Sequence, residues 1–201
     1  MREAVESGQL GFVHSIRAQT HDQSPPHAAY IPTSGGLFRD CSIHDFDIIR
    51  FVTGREVASV YATGANKGAA FFSEAGDVDT AAAVLTLDDG TLATLQGSRY
   101  NGGGYDVRME LAGTKRTQAV GLSPRAPLYT TEDLPGLDKP WPDFVARFET
   151  AYRDEIDCFL TGDTSPCTIT DALEALYVAE AADLSLREGR PVEVAEVRLQ
   201  A

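Results

Sequence analysis

"DTAAAVLTLDDGTLATLQGSRY" (79–100) decides how the rest of the chain is read. Two β-type runs flank Asp88-Asp89-Gly90, with a glycine where a tight turn wants positive φ, so the stretch predicts an antiparallel hairpin. Before it, "EVASVYATGANK" (56–67) predicts a strand with small residues on alternate positions. "GFVHSIRAQTH" (11–21), partly alternating and β-branched, predicts the first strand. After it, "YDVRMELAGTKRTQAVGL" (105–122) repeats the theme. Val107, Met109 and Leu111 share one face there, and a turn falls near Gly113-Thr114-Lys115. These runs add up to an open, mostly antiparallel sheet.

Helical patterns frame that sheet. "DQSPPHAAYIPTSGG" (22–36) is too rich in Pro, Ser and Gly for regular structure, and long loops of this kind in compact domains are often functional. "DCSIHDFDIIRFVTG" (40–54) then predicts a helix of roughly three turns, closed by Gly54. "SPRAPLYTTEDLPGLDKP" (123–140) is irregular, and 141–163 predicts an amphipathic helix with Phe144, Phe148, Tyr152, Ile156 and Phe159 along one stripe. Thr168 to Glu188 predicts a second helix with Leu173, Leu176, Val178, Ala181, Ala182 and Leu184 in its apolar set, and "RPVEVAEVRLQ" (190–200) a closing strand. Strands grouped first and long helices last give an α+β class, with helices packed on one face of the sheet. The other face is left for oligomerisation, into a homo-dimer or tetramer.

At 201 residues the chain suffices for one substantial domain, and 43% hydrophobic with 23% charged residues is the balance of a soluble globular protein. No apolar run reaches the roughly 18 residues of a membrane span, and the N-terminus lacks an apolar stretch of signal-peptide length. A net charge of −13, spread along the chain, argues against nucleic acid and anionic membrane as partners. Cys41, Cys158 and Cys167 show no C-x-x-C spacing, which fits a reduced, cytoplasmic setting.

Within 40–54, Asp40 and His44 lie four residues apart, so on a helix the carboxylate can reach the imidazole. A carboxylate beside a histidine fixes its tautomer and raises its basicity, as a general base acting on a hydroxyl requires. Asp47 falls on nearly the same face. A solvated polar face with incidental pairs explains the same spacing. Against it, the helix follows a long loop and is apolar almost all round (Ile43, Phe46, Ile48, Ile49, Phe51, Val52), and a buried helix carrying Asp and His needs a reason. A metal site from His21, His27, Asp40, His44 and Asp47 ranks lower, because no two histidines show ligand spacing within one element.

"GGLFRDCSIHDFDIIRFVTG" (35–54) resembles the Gly-Gly-x-x-x-Asp-x-x-x-His-x-x-Asp segment of the Gfo/Idh/MocA oxidoreductases, above all their myo-inositol 2-dehydrogenase branch. "GQLGFVHSIRAQTHD", "GYDVRMELAGTKR", "RFETAYRDEIDCFLTG" and "DALEALYVAEAADLSLREGRPVEV" are similar to further segments of that family's second domain, so the resemblance covers essentially the whole chain. It implies that His44 is the base on the hydroxyl being oxidised and that Asp40 orients it. It implies substrate contacts at Tyr105 and Tyr152, and at His21, with Asp22 and Gln23 as competing choices. Phe144 stands where close members carry a tryptophan, and Trp141 lies three residues away as a substitute. Tyr152 equally suits plain core, since it lies in the stripe with Phe148 and Ile156.

The resemblance also implies NAD or NADP for the intact enzyme, yet the sequence has no G-x-G-x-x-G turn between a strand and a helix. "YNGGGYD" lies between strands, and "LDKP" (137–140) places Lys139 in the wrong context for the family's catalytic lysine. The expectation is therefore one substrate-binding and oligomerisation domain over 1–201, without a Rossmann domain, binding a polyol or sugar but no dinucleotide alone. A non-catalytic sugar-binding or assembly module is the alternative.

Overall fold

The computed structural model describes residues 1–128, 144–162 and 165–199. In chain order they form α1 (Arg2–Glu6), β1 (Val13–His21), a 3-10 turn (Ile31–Thr33), a π-helical turn (Phe38–Ser42) and α2 (Ile43–Thr53). There follow β2 (Val57–Ala65), α3 (Phe71–Glu74), β3 (Thr80–Leu87), β4 (Leu92–Ser98), β5 (Asp106–Gly113) and β6 (Thr117–Val120). The last are α4 (Phe144–Thr161), α5 (Ile169–Glu188), β7 (Val192–Glu193) and α6 (Val194–Arg198).

The hairpin forms as its turn dictates. Gly90 takes φ 86° and the Thr91 N–H donates to Asp89 Oδ1 at 3.0 Å, which closes β3 onto β4. The seven-stranded sheet runs β6-β5-β1-β4-β3-β2-β7. Every neighbouring pair is antiparallel except β1–β4, which run parallel from Ser15 opposite Leu92 to His21 opposite Ser98. A parallel pair needs a crossover, and here the long loop and α2 begin it. In consequence the ends of β1 and β4 and the start of β5 meet at one end of the sheet, His21 lying opposite both Ser98 and Asp106.

Alternation places Ile16, Ala18, Val60, Ala62, Ala81, Ala83, Leu85, Ala93 and Leu95 in the core. Against them lie Phe46, Ile49 and Val52 of α2 and Val178, Ala179, Ala181 and Ala182 of α5. Small side chains bring α5 close enough for the Ala62 N–H to donate to Ser185 Oγ at 2.9 Å. α5 starts in a capping box between Thr168 and Asp171 and stops at Gly189, φ 66°. The fold is thus the α+β sheet-and-helix layer expected.

Three expectations need correction. The closing strand is only two residues long: the chain turns helical at Val194. The apolar stripe of α4 is largely not buried against the described residues, for Phe159 is 84% exposed and Tyr152 and Ile156 are exposed too. Phe148 is the stripe residue that meets the sheet, through Tyr105. The amphipathic pattern was right about helix, but that face points outward. Leu173 of α5 is likewise exposed. No described helix is long and apolar enough to cross a membrane.

Candidate active site

The centre of the sheet end is Arg99, the residue after β4, which is 2% exposed. Its Nη1 donates to Cys41 Sγ at 2.8 Å and to Asp22 Oδ2 at 3.2 Å, and its Nη2 to Asp40 Oδ2. The Tyr30 hydroxyl donates to the other oxygen, Asp40 Oδ1, at 2.6 Å. One guanidinium therefore ties the end of β1, the long loop and the π-helical turn together. Five fixed donors suit Arg to this task, and two carboxylates offset one buried cation. Burial lifts the Asp22 carboxyl above its ordinary value, against the pull of Arg99. Burial, followed by the Asp22 charge, also pushes the Cys41 thiol upward, so Cys41 is no thiolate nucleophile.

Asp40 does not hydrogen-bond His44. Arg99 and Tyr30 hold both its oxygens, and a charge-assisted bond to a buried guanidinium outcompetes a neighbour on the same helix. Asp40 also sits in a π-helical turn, where simple α spacing does not apply; such turns are frequent at functional sites. His44 is exposed, one step into α2, so this helix is less uniformly buried than its apolar pattern implied. Asp47 turns instead toward Arg50, 3.7 Å away. Asp45, beside His44, points inward and is 3% exposed. Burial pushes its carboxyl up to about 7, with Thr20 acting the other way.

Tyr105 is buried directly after Gly103 and Gly104, the latter at φ 135°. A Cβ at Gly103 would meet the Pro127 carbonyl oxygen at 2.8 Å, so this backbone must be bare for Tyr105 to seat. Its ring meets Phe148 edge-on with centroids 6.2 Å apart, which brings α4 to the same end of the sheet. Tyr152, one turn further on, is 44% exposed and is not core. His21 is mostly enclosed, and its Nε2 has no hydrogen-bond partner among the described residues. Burial lowers its pKa, with the Asp106 charge opposing. Of His21, Asp22 and Gln23, it is Asp22 that joins the Arg99 cluster. Trp141 and Lys139, and the side chain of Phe144, lie outside the described residues.

Arg99, Tyr30 and Asp45 escaped the sequence reading. An arginine directly after a buried hairpin strand is the one available signal for the first, because a cation there must find anions. Among the described residues no group of three His, Cys, Asp or Glu side chains could hold a metal ion.

Neither glycine-rich turn among the described residues joins a strand to a helix, the form that cradles a pyrophosphate. Gly35-Gly36, with φ 85° and 94°, leads from the 3-10 turn toward the π-helical turn, and two amides there are taken. The Gly36 N–H donates to Ser34 Oγ at 3.1 Å and the Leu37 N–H to Asp77 Oδ1 at 3.0 Å. Gly102 to Gly104 lead into β5, not into a helix.

Residues 1–118 match the family model described as the GFO/IDH/MocA C-terminal domain. The chain is 41% identical to the uncharacterized oxidoreductase YrbE of Bacillus subtilis, over 96% of this chain and 58% of that protein. It is 36% identical to myo-inositol 2-dehydrogenase of Thermotoga maritima, over 98% of this chain and 60% of that protein. The structure of Lactobacillus casei scyllo-inositol dehydrogenase with bound NAD(H) and scyllo-inositol superposes with a TM-score of 0.80 at 31% identity, covering 96% of this chain and 60% of that one. The chain thus spans about 60% of the length of these relatives. It belongs to the GFO/IDH/MocA oxidoreductase family, through that family's C-terminal domain.

Proposed function

We propose that this chain is the substrate side of a dehydrogenase that oxidises a ring hydroxyl of a cyclic polyol, an inositol before a sugar. The observation that carries the reading is an exposed His44 one turn from a carboxylate, Asp40, fixed on the buried Arg99. A ring hydroxyl at the mouth of this end can lose its proton to the imidazole. Asp40, held by Arg99 and Tyr30, fixes the turn from which His44 projects. Tyr105, Tyr152 and His21 are the proposed ring contacts, with Phe144 and Trp141 as an apolar wall. Two relatives whose names carry inositol support the choice of substrate.

NAD or NADP would be held by residues beyond those that this chain shares with its longer relatives. Saturation-transfer NMR on the 201-residue chain tests both halves of this reading. Myo- or scyllo-inositol is expected to give ring-proton signals that weaken in Tyr105→Phe, while millimolar NAD gives none. Silence with every inositol removes the substrate reading, and leaves a module for assembly or for another sugar. A saturable NAD signal removes the division of labour.

The open sheet face carries Tyr61 and Val84 exposed, around a shallow groove of about 400 Å³ that Arg17, Gln19 and Gln96 also line. We assign this face to pairing of copies into a dimer or tetramer. Sedimentation should give a dimer or larger species for the unaltered chain and a monomer for Val84→Glu. A wild-type monomer at high micromolar concentration overturns the assignment. Cys41 and Cys167, in no disulfide among the described residues, suit a reducing, cytoplasmic setting for such an enzyme.

A further inference from the structure

Ser42 and Asp45 lie three residues apart where the π-helical turn passes into α2, and both are buried. Beneath them, at the ends of β1 and β4, lie Thr20 and its register partner Gly97. A Cβ on Gly97 would come within 3.1 Å of Ser42 Oγ, so the bare glycine is what lets the helix settle on the sheet. Thr20 lies against the Asp45 side chain. Asp45 Oδ2 and Ser42 Oγ have no hydrogen-bond partner among the described residues.

Among the described residues no contact brings a cation to Asp45. β1 presents Thr20, then His21 and Asp22; the π-helical turn presents Cys41; and β5 begins beside Tyr105, a phenol that burial keeps protonated. Arg99 is engaged by Asp22, Asp40 and Cys41, and burial is the largest influence on Asp45, with no charged group among the described residues set against it. An ionised carboxylate so enclosed and unpaired is strongly disfavoured.

We infer that Asp45 is a positioning residue, a neutral acid whose burial beneath α2 lets the helix dock on β1, and that the helix loosens when Asp45 loses its proton. His44 rides on the outer side of that helix, and only this catalytic consequence rests on the function proposed above. An aspartate ordinarily titrates near 3.8, and burial moves Asp45 to about 7. The docked helix therefore holds the proton more tightly than the loosened one. The docking is complete below the ordinary value, weakens as pH rises toward 7, and is lost above it.

Amide hydrogen exchange of α2 in the 201-residue chain, corrected for the intrinsic pH dependence, tests the inference. Protection at Phe46 and Ile49 is expected to fall at least tenfold between pH 5 and pH 8 in the wild type. In Asp45→Asn, a permanently neutral mimic, it should stay level. Parallel profiles in the two proteins overturn the inference. Should Asp45→Asn not fold, difference infrared spectroscopy of the wild type decides. A protonated-carboxyl stretch from a buried acid, present at pH 6 and lost by pH 8, supports the inference, and its absence at pH 6 overturns it. Neither readout involves inositol, so failure of the substrate reading leaves this result standing.

Discussion

Replacing Arg99 with methionine is expected to destabilise the chain by about 3–5 kcal/mol, the usual effect of removing one member of a buried ion pair. The methionine fills much of the same space, so the loss is electrostatic. It strands the carboxylates of Asp22 and Asp40, and removes a bond to Cys41. Urea titration should show the lower midpoint. The triple variant Arg99→Met, Asp22→Asn, Asp40→Asn should recover a good part of it, because no unpaired charge then remains. A loss below about 1 kcal/mol, within the range of a surface pair, would mean that Arg99 does not organise this end of the sheet.

Replacing His44 with alanine is expected to leave stability nearly unchanged and to lower turnover about 10²- to 10⁴-fold, the range for loss of a general base. The assay joins this chain to the portion of the Thermotoga maritima relative that it does not cover. His44 is exposed, so its removal opens no cavity, and the melting temperature should move little. A fall in kcat with KM held within a few-fold places the side chain in the chemical step. Near-normal turnover takes His44 out of the chemistry, and a large loss of stability makes it structural.

What was legible in the sequence was what short-range chemistry fixes. Asp88-Asp89-Gly90 specifies its turn, Gly54 and Gly189 end their helices in the left-handed conformation, and Thr168 begins one. The parallel pairing of β1 with β4 has no local signal, since nothing in 13–21 names a partner that begins at Leu92. The same limit governs the site. Asp40 and His44 stood out by spacing, but the groups that hold Asp40 come from a loop and from the end of β4. Periodicity in α4 correctly gave a helix with an apolar stripe. It says that such a stripe wants cover, not whether the cover lies in the same chain. Val192 and Glu193 resembled a longer strand because valines suit strands, but the pairing with β2 stops at Glu193.

The parallel pair at the middle of the sheet also sets an order of events. During synthesis β2, β3 and β4 can join by local pairing as they emerge, each antiparallel to the one before. β1 is made before all of them, yet its two neighbours, β4 and β5, are made after. Its row of amides and carbonyls has no strand to meet until Leu92 and then Asp106 have left the ribosome. The earliest strand is thus the one that waits, and the sheet is completed from its middle. His21 ends that strand and Asp22 follows it, so the Arg99 cluster cannot assemble before the end of β4 has been made.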